Sequence, residues 1–115
     1  MTKNEEDLRI FVQDALNEWS DVYAGNAKSA NARIRAAEKM VTRWAKEGVV
    51  LELLLPLLKH EAIAVRFAAA AHLINHGGKK HAVAVLRELV KEPSLIASSA
   101  DAVLRINKIS INSDL

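Results

Sequence analysis

The sequence contains no cysteine, and it has only two prolines, four glycines and a handful of aromatic side chains. The absence of cysteine excludes a disulfide framework and a cysteine-ligated zinc or iron–sulfur centre. The longest apolar runs cover only a few residues, so no membrane-spanning segment is predicted. The first seven residues are polar and acidic, which predicts no signal peptide and favours a cytoplasmic location.

What is present fits one globular domain. The chain has 115 residues, of which 50% are hydrophobic and 26% are charged. It is therefore long enough and apolar enough to form a core. The net charge of +2 is too small to indicate nucleic-acid binding by itself. Residues 1–24 contain six acids and two bases, whereas residues 25–59 contain seven bases and three acids. We therefore expect an acidic start and a basic middle that form distinct surfaces.

Apolar residues recur at helical spacing along the chain, and no segment alternates convincingly as a half-buried strand does. The pattern predicts six helices, over residues 4–23, 29–46, 49–59, 63–76, 79–91 and 93–107. Thr2 followed by Glu5 indicates a capping box at the first helix. Pro56 predicts a bend within the third helix, and Pro93 fits the first turn of the sixth. The fourth helix is apolar nearly all round, which is typical of a central, buried helix.

A shift of 31 residues overlays the last two helix pairs. Leu58 then matches Leu89. The fourth helix matches the sixth at three apolar positions, namely Val65 with Ile96, Ala69 with Ala100 and Leu73 with Leu104. The same shift backwards places Ile34-Arg35 on Val65-Arg66. Three helix pairs related in this way predict a short, right-handed α-solenoid over residues 1–108, with a frayed tail over 109–115.

The run Leu53-Leu54-Leu55-Pro56-Leu57-Leu58, followed by Val65-Arg66 and four alanines, resembles a HEAT repeat. The order of features along the whole chain resembles a family of small bacterial HEAT-like domains of unknown function. That resemblance implies the fold and no reaction, since HEAT repeats generally serve as protein-binding scaffolds and a minority bind nucleic acid. The sequence departs from the pattern at Ala97, where the arginine of the other two pairs is missing.

Equivalent positions on the second helix of each pair should line one face of the solenoid, which we interpret as the binding surface. Its predicted residues are Arg35, Lys39, Arg43, Arg66, Ala70, Ile74, Asp101 and Arg105. A solvated charged face over a buried Ile74 is the alternative. Asp101 and Arg105 can instead pair with each other, and Arg35 and Arg66 can contact acids such as Glu61 or Glu92.

Candidate catalytic groups lack the context that catalysis needs. His72 and His76 are spaced as two metal ligands on one helix, but Leu73 occupies the glutamate position of a metalloprotease motif. Asp14, Glu18 and Asp21 line one side of the first helix, where we expect solvated acids that pair with the basic second helix. We predict no enzyme, no cofactor and no metal; an enzyme would need a pocket that groups His72, His76 or His81 with a carboxylate.

The predicted function is therefore a non-catalytic protein-binding module, and by analogy an inhibitor that blocks a bacterial toxin. A shield for a cationic toxin would have to use the acidic first helix. The alternative is nucleic-acid binding through the cations Arg35, Lys39, Arg43, Lys46, Arg66, Lys79 and Lys80. Trp19, Trp44, Phe11 and Phe67 all lie in apolar patterns, so base stacking lacks an obvious platform. No membrane partner is expected, and the oligomeric state stays open.

Overall fold

The computed structural model describes residues 2–110, and within them all regular structure is helical. The helices are α1 (Lys3–Tyr23), α2 (Ala27–Glu47), α3 (Val50–Leu54), α4 (Ile63–Leu73), α5 (Lys79–Leu89) and α6 (Leu95–Ile106); a 3₁₀ turn over Leu55–Lys59 follows α3 directly. The prediction of an all-α fold of about six helices is confirmed. None of these helices combines the length and the apolar character needed to cross a bilayer.

Side-chain caps fix where the first two helices begin. The Thr2 hydroxyl accepts a hydrogen bond from the Glu5 backbone N–H at 3.1 Å, which confirms the first half of the predicted capping box. The Glu5 carboxylate accepts from the Thr2 hydroxyl at 3.2 Å, and not from the Thr2 N–H as a full box requires. The Asn26 side chain accepts from the Ser29 N–H at 3.1 Å, so α2 begins two residues before the predicted start. Each bond satisfies one of the amide groups that a helix start leaves free. Gly48 ends α2 in the left-handed conformation, with φ of 73°.

The two prolines differ in how well their sequence interpretation holds. The predicted third helix divides at Leu54, and Pro56 lies at the start of the 3₁₀ turn, because proline cannot donate to the carbonyl four residues earlier. Pro93 does not occupy the first turn of the sixth helix, so that prediction is wrong. Ser94 caps α6 instead, and its hydroxyl accepts from the Ile96 N–H at 3.1 Å.

The helices form two rows. α4 packs against α6, and the 3₁₀ turn packs against α5, so the second and third helix pairs stack in the same order, as the repeat predicts. The first pair stacks in the opposite sense, since α1 packs against α4 and α2 packs against α3. One row therefore contains α1, α4 and α6, and the other contains α2, α3 and α5.

Burial supports the 31-residue repeat in the last two pairs only. Val65 and Ile96, Ala69 and Ala100, and Leu73 and Leu104 are all buried. Ile34, which the shift places on the fully buried Val65, is 37% exposed. The two-residue match of Ile34-Arg35 to Val65-Arg66 is therefore not a structural equivalence. α2 instead anchors through Val41 and Trp44, and the Trp44 ring lies 5.8 Å from that of Phe11 in α1.

The chain stays attached to the core beyond α6. Ile109 packs against the main hydrophobic cluster, and its N–H donates to the Leu104 carbonyl at 2.9 Å. Arg87 Nε donates to the Ser110 carbonyl at 3.0 Å. The first two residues of the tail predicted to fray are thus docked, while its remainder, 111–115, lies outside the described residues.

Candidate functional site

The outer surface of α2 carries one row of basic side chains. Lys28, Arg35, Lys39 and Lys46 are all exposed, and at 100° per residue they fall within an arc of about 40°. With a rise of 1.5 Å per residue, the row is about 27 Å long. None of the four forms an ion pair with another residue in 2–110. We call these four side chains the α2 basic stripe.

The cations on the inner side of α2 are neutralised by the acids of α1. Arg33 Nη1 lies 3.1 Å from Asp14 Oδ1, and Arg33 Nε lies 2.8 Å from Asp21 Oδ2. Arg43 forms an ion pair with Asp7. The hydrogen bond from Arg33, with a second from the Ser29 hydroxyl, lowers the pKa of Asp21. The predicted pairing of the acidic first helix with the basic second helix is confirmed for Asp14 and Asp21 and is wrong for Glu18, which has no such partner in 2–110. Three of the six acids of residues 1–24 are therefore engaged by α2.

The floor of the predicted binding face is not accessible. Ala70 is fully buried and Ile74 is 5% exposed, and both belong to the main core cluster. The prediction that they line an open surface is wrong, because α4 is covered by α1, α5, α6 and the 3₁₀ turn together. Its small alanine side chains let these neighbours approach closely.

The remaining predicted binding residues lie on other surfaces or have partners of their own. Arg66 Nη1 donates to the backbone carbonyls of His60 at 2.7 Å and Glu61 at 3.2 Å, so it holds the turn before α4 and contacts no carboxylate of 2–110. Arg105 Nε lies 3.0 Å from Asp101 Oδ1, the pairing predicted as the alternative. Because α2 lies in the other row, the structure does not bring Arg35 and Lys39 together with Arg66, Asp101 and Arg105 as one face.

A cavity of about 180 Å³ opens where α1, α2 and α4 meet, and sequence reasoning missed it. Its apolar walls are Phe11, Ala15, Ile34, Ala37, Phe67, Ala68 and Ala71. Four polar side chains complete the lining: Asp14, Glu18, Arg33 and His72. Asp14 and Glu18 belong to the acidic row of α1, and His72 belongs to the histidine pair of α4, both of which are recognisable in the sequence. No local pattern indicates that they share one cavity.

The two unpaired polar groups of this cavity have displaced pKa values. Burial of Glu18 raises the pKa of its carboxyl to about 7, and Glu18 has no hydrogen bond or ion pair to any other residue of 2–110. Burial, with a smaller effect from His76, lowers the pKa of His72 to about 4. The His72 ring packs edge-on against Phe11, with the ring centroids 5.8 Å apart.

The histidines do not assemble a metal site in the described part of the chain. Residues 2–110 contain no group of three or more histidine, cysteine, aspartate or glutamate side chains that could hold an ion. His81 is exposed on α5, away from the cavity that His72 lines. His72 does share that cavity with carboxylates, which is the grouping that an enzyme would need.

Comparison with protein-family models, with curated proteins and with solved structures finds no match to this chain.

Proposed function

We propose that this chain is a non-catalytic binding module that engages an acidic protein surface through the α2 basic stripe. One observation carries the proposal: the inward cations of α2 are all paired with α1, whereas the four outward cations have no partner in 2–110. A row of like charges that the protein leaves uncompensated repels itself and attracts a surface of opposite charge. An acidic partner restores that balance.

The shape of the surface suits a protein helix or strand. Ala32 and Ala36 are exposed beside the stripe, and such small side chains let a partner backbone approach α2 closely. The packing of α2 on α1 and α3 holds the backbone of the four residues in a fixed row, so little backbone freedom is lost on binding.

An inhibitor that blocks a bacterial toxin is one setting for such a module, and the charge of the partner is then restricted. Asp7, Asp14 and Asp21 of α1 are engaged by Arg43 and Arg33, so they cannot also bind a cationic toxin. The proposal therefore favours a toxin, or any other partner, that presents carboxylates.

Nucleic acid is the second candidate, and one exposed ring favours it. Tyr23 is 62% exposed at the end of α1, a few residues before the start of α2. Proteins that bind single-stranded nucleic acid combine basic side chains with exposed aromatic rings. Neutralisation of four phosphates predicts a logarithmic salt slope of about −3 to −4, which is a loss of about 100-fold in affinity between 50 and 200 mM salt.

The test compares two charge reversals of equal size. Arg35→Glu/Lys39→Glu removes the centre of the stripe, and Lys79→Glu/Lys80→Glu changes the net charge equally on exposed residues of α5. Tagged wild type and both variants, checked for folding by circular dichroism, are used to capture partners from nuclease-treated lysate over a salt series.

We expect a stoichiometric acidic protein that the α5 variant retains and the stripe variant loses. Retention of that protein by both variants would contradict the assignment of the surface. Recovery of nuclease-sensitive material alone, lost in the stripe variant with the predicted salt slope, would put nucleic acid in place of the protein partner.

A further inference from the structure

The cavity between α1, α2 and α4 has the size and the charge of a ligand site, and it lies on a different side of α2 from the basic stripe. We propose that it binds a small organic cation, a protonated primary amine attached to a compact apolar body such as a single ring. This inference does not rest on the proposed function.

The size of the cavity limits the apolar part of the ligand. Its volume of about 180 Å³ is close to that of cavities that accept a benzene-sized molecule, which are roughly 150 Å³, and below the range of drug-sized sites. Phe11 and Phe67 supply two aromatic walls, and Ala68 and Ala71 leave the space that larger side chains on α4 would fill. A ligand with one ring and a short arm fits these dimensions.

The charge of the cavity selects a cation. Arg33 binds Asp14 through Nη1 and Asp21 through Nε, so two carboxylates face one guanidinium and this cluster has a net negative charge. Glu18 adds a carboxyl that no residue of 2–110 neutralises. A protonated amine beside Glu18 would gain a charge-assisted hydrogen bond in a partly desolvated setting, where such bonds are strongest. His72, the polar group of α4 in this cavity, is uncharged at neutral pH and does not repel the amine.

The state of Glu18 makes binding depend on pH. The carboxyl, with a pKa of about 7, is mostly ionised at pH 8 and mostly protonated at pH 6. If only the carboxylate binds the amine, the apparent affinity falls by about tenfold from pH 8 to pH 6. Asp14, Arg33 and His72 line the same cavity: Asp14 and Arg33 form an ion pair with each other, and His72, with a pKa of about 4, is uncharged throughout this interval.

The test is an amide-resolved NMR titration of the full chain with benzylamine as the probe. Benzyl alcohol is the neutral control of the same shape, and benzoate is the anionic one. Glu18→Gln removes the charge and keeps the size of the side chain, whereas Ala71→Leu fills the cavity. Glu38→Gln removes an equivalent charge from an exposed position outside the cavity lining.

We expect saturable shifts at the amides that line the cavity, with benzylamine bound at least tenfold more tightly than benzyl alcohol at pH 8. Glu18→Gln should abolish both that preference and the pH dependence, Ala71→Leu should block binding, and Glu38→Gln should change neither. Equal affinity for amine and alcohol, tighter binding of benzoate, or shifts scattered over the surface would overturn the proposal. Glu18→Gln remains informative if Ala71→Leu does not fold.

Discussion

Glu18 and His72 should make the stability of this protein depend on pH in opposite directions. The pKa of Glu18 is raised from 4.5 to about 7 by burial. Between these pH values the folded chain therefore holds a proton that the unfolded chain has lost, and the free energy of unfolding falls as the pH rises. The cost is absent below pH 4.5 and complete above pH 7. Its upper limit is about 3 kcal/mol, which solvent around a half-buried carboxyl reduces to about 1–2 kcal/mol.

His72 acts with the opposite sign. Its pKa is lowered from 6.5 to about 4, first by burial and then by His76. Between these values the unfolded chain holds the extra proton, so the free energy of unfolding falls as the pH falls. The two effects overlap from about pH 4.5 to 6.5 and oppose each other there. We therefore expect the stability of the wild type to change less across this interval than that of a variant in which residue 18 cannot ionise.

The substitution Glu18→Gln should uncover the histidine effect. The variant cannot ionise at residue 18, so its stability should rise with pH from about 4 to 6.5. Relative to wild type it should gain about 1–2 kcal/mol between pH 5 and pH 8. Urea denaturation followed by circular dichroism at each pH measures the difference, and the exposed Glu38→Gln is the matched control. A difference between Glu18→Gln and wild type that is equal at pH 5 and pH 8 would refute the assignment of the raised pKa to Glu18.

Substitutions at four further positions test the packing and the turns. Leu73→Ala, at a fully buried position, should lower the free energy of unfolding by about 2–5 kcal/mol; a loss below 1 kcal/mol in urea denaturation would mean that α4 is not central. Gly48→Ala should lower the free energy of unfolding by about 1 kcal/mol, because φ is 73° and alanine disfavours this left-handed conformation. No atom lies within 4 Å of the added Cβ, so no clash adds to this cost, and asparagine, which tolerates the conformation better, should cost less. At Gly78 both changes should destabilise, since a Cβ would lie 2.9 Å from Leu73 Cδ2; rescue by asparagine there would contradict the steric reason. Arg66→Met, which removes two hydrogen bonds to the turn before α4, should lower Tm by about 4–8 °C, and an unchanged Tm would show that those bonds add nothing.

The sequence predicts the elements of the fold well and their stacking only in part. Helix periodicity, the Thr2 cap and Pro56 are local signals, and the structure follows them. The order in which helix pairs stack depends on contacts far apart in sequence. The match of Ile34 to Val65 involves only two residues, and α2 in fact anchors through Trp44 against α1. No pattern within α2 indicates that the first helix pair stacks in the opposite sense to the other two.

The candidate sites depend on the same tertiary information. Arg35 and Lys39 are exposed as predicted, because a helix covered on one side exposes the opposite one. Ile74 looks exposed by the helical wheel of α4 alone, but the elements packed around α4 leave it only 5% exposed. The cavity combines residues from three helices. The burial of the Glu18 carboxyl and its lack of a partner within 2–110 depend on how these three helices pack, which the sequence of α1 alone does not indicate.

The most direct test of the α2 basic stripe as the binding surface is an amide-resolved NMR titration with a peptide of ten glutamates. The account predicts saturable shifts at Lys28, Arg35, Lys39 and Lys46, lost in Arg35→Glu/Lys39→Glu and retained in Lys79→Glu/Lys80→Glu. Shifts centred on α4 and α6, or equal in both variants, would contradict it.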